Sequence, residues 1–191
     1  MSYLLINDIR FVSKEMLESN CISKFNPEAI IYIEKAGRLI GCTMANHLNI
    51  QLFAVSTTRA GDSMKNKIKL LFNYLPWQVS HLIRKMELAS PYHKNFGKRE
   101  VIINKPLPNI KETRILLVDD AIDSGVSIKS VVKFLNERGY HNILTAVITT
   151  TSSDPIYQAD YSHFNKLLTF PWSIGSKDYN DYQKLYLSLN E

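Results

Sequence analysis

Cysteine is scarce in this 191-residue chain: the only two, Cys21 and Cys42, stand far apart. No metal-ligand or redox spacing links them, so the sequence offers no cysteine-based metal or redox site. The expectation is two buried or half-buried thiols in a reducing cytoplasm. Long apolar runs are also missing, since no stretch approaches the roughly 18 residues of a membrane span. The opening MSYLLINDIRFVSKEM lacks a basic start, an apolar centre and a small-residue cleavage site, so no secretory signal is expected. There is no internal repeat and no low-complexity linker. Basic residues exceed acidic ones by five, but they form no stripe interleaved with aromatics, which argues against nucleic acid as a partner. Modest concentrations at Lys65–Lys69 and Lys94–Arg99 suit a small polyanionic ligand or a solvated face.

What is present is ordinary globular composition, 45% apolar and 21% charged. The length suits one α/β domain over residues 1–191 rather than two independent ones. Short apolar runs alternate with helical patterns, which predicts a mostly parallel twisted sheet flanked by helices. Strands are expected at Ala29–Ile33, Leu52–Val55, Val101–Ile103, Ile115–Val118 and Ile143–Ile148. A helix is expected at Arg38–Leu48. Ile115-Leu116-Leu117-Val118 is continuously apolar, as in a central parallel strand buried on both faces. Ile128, Val131, Val132 and Leu135 then follow the i, i+3, i+4, i+7 rule of an amphipathic helix. Gly139 sits where a helix end commonly takes a left-handed residue. A helical insertion is expected at about 62–90, with Met64–Tyr74 and Gln78–Leu88 split by Leu75-Pro76. Ala89–Lys98, with Pro91 and Gly97, reads as a polar loop, and Asp178–Leu189 as a peripheral helix.

The chemistry concentrates in Val118–Ser127. Ligands of open parallel sheets bind at the carboxyl ends of the strands, and Asp119 and Asp120 fall where a buried strand is expected to stop. Two adjacent carboxylates there repel each other unless hydroxyl donors or a cation offset the charge. A ribose with two free hydroxyls, assisted by Mg²⁺, is such a partner. Ser124-Gly125-Val126-Ser127 then opens a helix: glycine permits close backbone approach, the serines supply hydroxyls, and the helix N-terminus offers unpaired N–H groups. Diol binder followed by phosphate binder describes a ribose 5-phosphate. Each half also has a plainer reading, an Asp pair capping a turn and a Ser-Gly-x-Ser capping a helix. Neither a Walker P-loop nor a dinucleotide fingerprint follows a strand.

Leu117–Ser127 resembles the signature with which type I phosphoribosyltransferases bind 5-phosphoribosyl-1-diphosphate (PRPP). In that family the pattern is four apolar residues, two acidic, two variable, then Thr/Ser-Gly-x-Thr/Ser; this chain has serine at both hydroxyl positions. The resemblance implies that Asp119 and Asp120 bind the ribose hydroxyls and influence the metal indirectly, while Ser124, Gly125, Val126 and Ser127 hold the 5-phosphate. Glu34-Lys35-Ala36-Gly37, after an early strand, is similar to the family's diphosphate loop. It implicates Lys35, Ala36 and Gly37, although an ordinary βα turn would look the same. The family's mobile loop would fall within Ala89–Lys98, where Lys94, Lys98 and Arg99 would meet diphosphate charge or simply keep the loop soluble.

The acceptor is less determined. An acid at the position of Asp123 is typical of the family's 6-oxopurine (xanthine and hypoxanthine-guanine) branch, where it manages the proton of the purine N7; it also suits a plain helix entry. Phe170-Pro171-Trp172 is similar to the hood segment of that branch, placing a small hood at about 152–175 with Leu167, Leu168, Phe170 and Trp172 against the acceptor. Two features depart from it. Leucine stands at 167 where the stacking aromatic belongs, and Thr149-Thr150-Thr151-Ser152 replaces the lysine that reads a 6-oxo group. The resemblance implies Mg²⁺-dependent transfer of phosphoribose from PRPP to a nitrogen acceptor, purine-like, as in nucleotide salvage. A non-purine acceptor or a non-catalytic PRPP-binding regulator stays open, as does a homo-oligomer.

Overall fold

A computed structural model describes residues 2–59, 99–109, 111–173 and 176–189. The chain divides into two compact units, Met1–Thr57 with Val101–Glu191, and Thr58–Glu100. The expected helices Met64–Tyr74 and Gln78–Leu88 and the loop Ala89–Lys98 lie outside the described residues.

Eight strands are described: β1 (Ser2–Tyr3), β2 (Ala29–Ile33), β3 (Gln51–Arg59), β4 (Arg99–Ile103), β5 (Ile115–Ile122), β6 (Ile143–Thr150), β7 (Tyr161–Phe164) and β8 (Leu168–Thr169). The described helices are α1 (Ile6–Glu18), α2 (Asn20–Phe25), α3 (Arg38–Leu48), α4 (Val126–Asn136) and α5 (Tyr179–Ser188). Six strands form one sheet in the order β4-β3-β2-β5-β6-β7, and β1 pairs with β8 apart from it. The β2–β3, β2–β5, β5–β6 and β6–β7 pairings are all parallel. This is the expected α/β fold of a mostly parallel sheet flanked by helices.

Period-2 alternation along the central strands divides the core into two layers. Ile30, Tyr32, Leu116, Val118, Ala146 and Ile148 pack on one face with Ile9, Val12 and Met16 of α1 and Leu39, Ile40 and Met44 of α3. Ala29, Ile31, Ile33, Ile115, Leu117 and Val147 pack on the other with Ile128, Val131 and Leu135 of α4. Covered on both sides, the central strands must be continuously apolar, which is what the sequence displays.

From β2 the chain steps to β3 on one side, whereas β5 and β6 extend the sheet on the other. The order therefore reverses between β2 and β5, the place where open sheets present a ligand crevice beyond the carboxyl ends of their strands. Three features differ from expectation or go beyond it. β5 does not stop at Val118 but runs to Ile122, with Asp119 opposite Val147 and Ala121 opposite Thr149 of β6. Cys21 is exposed rather than buried, while Cys42 is half-buried. The N-terminal α1 packs against α3, and its start is tied by the Leu5 N–H donating to Asp8 at 2.8 Å and the Ile6 N–H donating to Asp178 at 2.9 Å. Gly139 does take a left-handed backbone, with φ of 84°. Among the described residues no helix is long and apolar enough to cross a membrane.

Candidate active site

Three loops gather at the carboxyl ends of β2, β5 and β6. The first is 34–37. The Glu34 N–H donates to the Val55 carbonyl at 2.8 Å, and the Ser56 hydroxyl donates to the Glu34 carboxylate at 2.5 Å, so the loop is fastened to β3. The Glu34–Lys35 peptide is cis. Lys35 is exposed, Ala36 half-buried and Gly37 buried. A Cβ at Gly37 would lie 2.8 Å from the Ile33 carbonyl oxygen and 3.1 Å from that of Val118. The absence of a side chain therefore lets the 34–37 loop settle against β5 immediately before Asp119.

The carboxylates follow from how β5 is flanked. Its pairing with β2 ends at Val118, whereas its pairing with β6 continues to Ile122. Asp119 and Asp120 thus occupy a stretch of strand with a neighbour on one side only. Each bends back to the next amide: the Asp120 N–H donates to Asp119 Oδ1 at 2.9 Å, and the Ala121 N–H donates to Asp120 Oδ1 at 2.7 Å. The second oxygen of Asp120 accepts from the Trp172 indole Nε1–H at 2.9 Å. Burial pushes the Asp120 carboxyl above the usual carboxylate range, although the hydrogen bonds from Trp172 and Ala121 favour its charged form.

The second loop is 123–125, where Asp123 is exposed and Ser124 half-buried. Gly125 is buried at the N-cap of α4 with φ of 78°, and no side chain caps the helix. The first N–H groups of α4 remain an anion-binding end, joined by the half-buried Ser127. A Cβ at Gly125 would meet the Tyr157 carbonyl oxygen at 2.6 Å and its nitrogen at 2.9 Å. Tyr157 belongs to the third loop, 151–160, which is pinned by Ile156 N–H to the Ser124 carbonyl at 3.0 Å and Thr151 N–H to that of Ile122 at 2.8 Å. Its far end is closed by Asp160, which accepts from both the amide and the hydroxyl of Thr145.

The acceptor residues named from sequence separate. Leu167 is 64% exposed, whereas Leu168 and Phe170 are each 6% exposed and belong to the core beside α1 and α3. Leu168 and Phe170 therefore present little side-chain surface. Trp172 is half-buried and turns its N–H to Asp120. The threonine run is also committed inward. Thr149 donates to the Lys166 carbonyl at 2.6 Å, Thr150 to Ser162 at 3.0 Å and Thr151 to the Ile122 carbonyl at 3.2 Å. The first two tie β6 to residues 162–166 and the third ties the 151–160 loop to β5, so each hydroxyl already has a protein partner. Sequence reasoning missed Tyr157 and Asp160; the Asp-Pro turn at 154–155 marks their loop but not their partners.

Among the described residues no group of three or more His, Cys, Asp or Glu stands together as a metal cage. Two carboxylates beside a phosphate-binding end fit Mg²⁺ all the same, because that ion keeps waters and shares substrate oxygens with one or two carboxylates.

Comparison with known proteins agrees with this geometry. The phosphoribosyl transferase domain family matches residues 4–179. Among solved structures, a purine phosphoribosyltransferase from Pyrococcus horikoshii superposes with a TM-score of 0.62 at 17% identity, over 91% of this chain and 95% of that one. A xanthine-guanine-hypoxanthine phosphoribosyltransferase from Helicobacter pylori gives 0.60 at 17% identity, over 96% and 97%. A hypothetical protein from Neisseria gonorrhoeae with bound ppGpp gives 0.60 at 16%, over 98% and 97%. No curated protein matches by sequence. At these identities the structural likeness establishes the fold, and the family match establishes membership: the chain belongs to the phosphoribosyl transferase domain family and is a type I phosphoribosyltransferase.

Proposed function

We propose that the chain transfers the 5-phosphoribosyl group of Mg²⁺-bound PRPP to a ring nitrogen of a purine-like base, releasing diphosphate. Family membership supplies the coarse reaction, phosphoribosyl transfer from PRPP. The observation that supports a PRPP site is the meeting of the 34–37 loop with β5 at Val118, one residue before Asp119. On this reading the loop expected to face diphosphate lies beside the carboxylate pair, with the start of α4 a few residues further on.

In this reading Ser124, Gly125, Val126 and Ser127 hold the 5-phosphate, and Asp119 and Asp120 accept hydrogen bonds from the ribose hydroxyls. Lys35, with the backbone at Ala36 and Gly37, faces the diphosphate. Mg²⁺, when bound with PRPP, neutralises leaving-group charge, and Asp119 and Asp120 influence it indirectly through the ribose. The bond from the anomeric carbon to the diphosphate oxygen breaks as a bond to the base nitrogen forms, and the electron pair leaves with diphosphate. The chain's own contribution is positioning and charge stabilisation. Asp123, exposed at the start of the phosphate loop, is placed to take the proton that the nitrogen gives up.

Support for a purine comes from Asp123 and from the fold relatives, two of which are named as purine enzymes. A second reading, a non-purine acceptor, is favoured by one observation: the hydroxyls of Thr149, Thr150 and Thr151 are spent on protein partners, leaving Leu167 as exposed apolar cover. Diphosphate release measured with Mg²⁺-PRPP and a panel of bases separates the two. Turnover with guanine, xanthine or hypoxanthine is expected. PRPP binding without turnover of any purine would reject the purine reading in favour of another acceptor or a regulator.

A further inference from the structure

We infer that Trp172 is a positioning residue of the donor site: its indole N–H sets the plane of the Asp120 carboxylate for the ribose, and it is not a surface for the acceptor. This rests on the PRPP reading above.

The Asp120 carboxylate is held at both ends. Oδ1 accepts from the Ala121 amide at 2.7 Å and Oδ2 from Trp172 Nε1 at 2.9 Å. A carboxylate fixed at one oxygen can still swing about its terminal torsion, which is broad. Fixed at two, it presents a defined plane. The indole that supplies the second bond is itself immobilised. Phe170 stacks on it with centroids 4.9 Å apart and planes 5° from parallel, and Tyr182 of α5 packs at 5.2 Å. Phe170 and Tyr182 are 6% and 2% exposed. The 170–173 turn that carries the indole is locked by Ser173 N–H to the Phe170 carbonyl at 3.0 Å and by Phe170 N–H to Ser173 Oγ at 3.4 Å.

Packing alone does not account for tryptophan here. A phenylalanine would retain the stack on Phe170 but leave a half-buried carboxylate oxygen without its donor, and an unpaired buried acceptor is costly. An acceptor-stacking role fares no better, because the Phe170 ring already covers one indole face and the N–H is directed at the donor site.

The test uses Trp172→Phe in the full chain, with Mg²⁺-PRPP as the probe. Loss of a charge-assisted bond predicts PRPP affinity weaker by about 10- to 100-fold, with the KM of the acceptor unchanged. Equal PRPP affinity in the two proteins, or a change confined to the acceptor KM, overturns the inference. Should Trp172→Phe fail to fold, the otherwise native Trp77→Phe protein decides, because Trp77 and Trp172 are the only tryptophans. A saturable change of the remaining indole emission on adding Mg²⁺-PRPP supports the contact. Unchanged emission while calorimetry registers binding overturns it. Absence of PRPP binding by the wild-type chain would instead sink the donor reading on which this rests.

Discussion

Gly37, in the loop after β2, meets Val118 of the neighbouring β5 so closely that a Cβ on Gly37 would stand 3.1 Å from the Val118 carbonyl oxygen. This contact joins two segments far apart in sequence into one crevice, the loop that faces diphosphate and the strand that carries the carboxylates. Gly37→Ala would also press to 2.8 Å from the Ile33 carbonyl, where only a backbone shift gives relief. Destabilisation of about 1–3 kcal/mol is expected, together with weaker PRPP binding. Denaturant unfolding and calorimetry on Gly37→Ala check both. An unchanged unfolding midpoint and an unchanged affinity would show that the two segments do not depend on each other.

At Gly125 the constraint is conformational as well as steric. Its φ of 78° is a left-handed backbone, which costs an L-residue about 1–2 kcal/mol, and the Tyr157 carbonyl stands 2.6 Å from where a Cβ would be. Gly125→Ala should lose stability and 5-phosphate binding together, read as a lower thermal midpoint and a weaker response to ribose 5-phosphate. Retention of both would mean that the 151–160 loop yields without cost.

Asp160 offers a test of that loop. Its carboxylate accepts from the Thr145 amide at 2.8 Å and hydroxyl at 2.7 Å, and its own N–H donates to the Thr145 hydroxyl at 3.0 Å. Thr145 is fully buried. Asp160→Ala leaves two buried donors unpaired and should cost about 1–3 kcal/mol, measured by urea unfolding. Asp160→Asn, which can still accept, should cost less.

Much of the fold was legible because the central strands are buried on both faces and therefore spelled as unbroken apolar runs, as in Ile115–Val118. The donor site was legible because its parts are contiguous: Asp119 to Ser127 lie on one strand and one helix start, and local order carries over directly into space. What escaped depended on distant partners. Trp172 lies 52 residues from Asp120, and nothing in either segment announces that the indole faces the donor carboxylate. The partners of the threonine hydroxyls were not legible because the Lys166 carbonyl, Ser162 and the Ile122 carbonyl come from other segments. The stop of β5 was placed too early since aspartate is disfavoured in strands, yet pairing with β6 carries the strand through both. In α1 the buried stripe includes Ser13, while Phe11 is 63% exposed, which blurs the helical period.

Leu167 addresses the acceptor. At 64% exposed it bears little on stability, so Leu167→Phe should leave unfolding within about 0.5 kcal/mol of the wild type. An aromatic there adds a stacking face, worth about 0.5–1.5 kcal/mol, and should lower the KM of a purine acceptor severalfold. A purine KM that does not move would place the base elsewhere than under Leu167.

The carboxylate pair decides whether the site binds PRPP. Asp119→Asn with Asp120→Asn keeps side-chain size and removes both charges; an amide at position 120 can accept from only one of the two N–H groups, of Ala121 and Trp172, that Asp120 satisfies, so the fold should survive with a modestly lower unfolding midpoint. Calorimetric titration of both proteins with Mg²⁺-PRPP is the direct measurement. Saturable binding by the wild type and none by the folded double variant is the predicted result, and undiminished affinity in the double variant would contradict it.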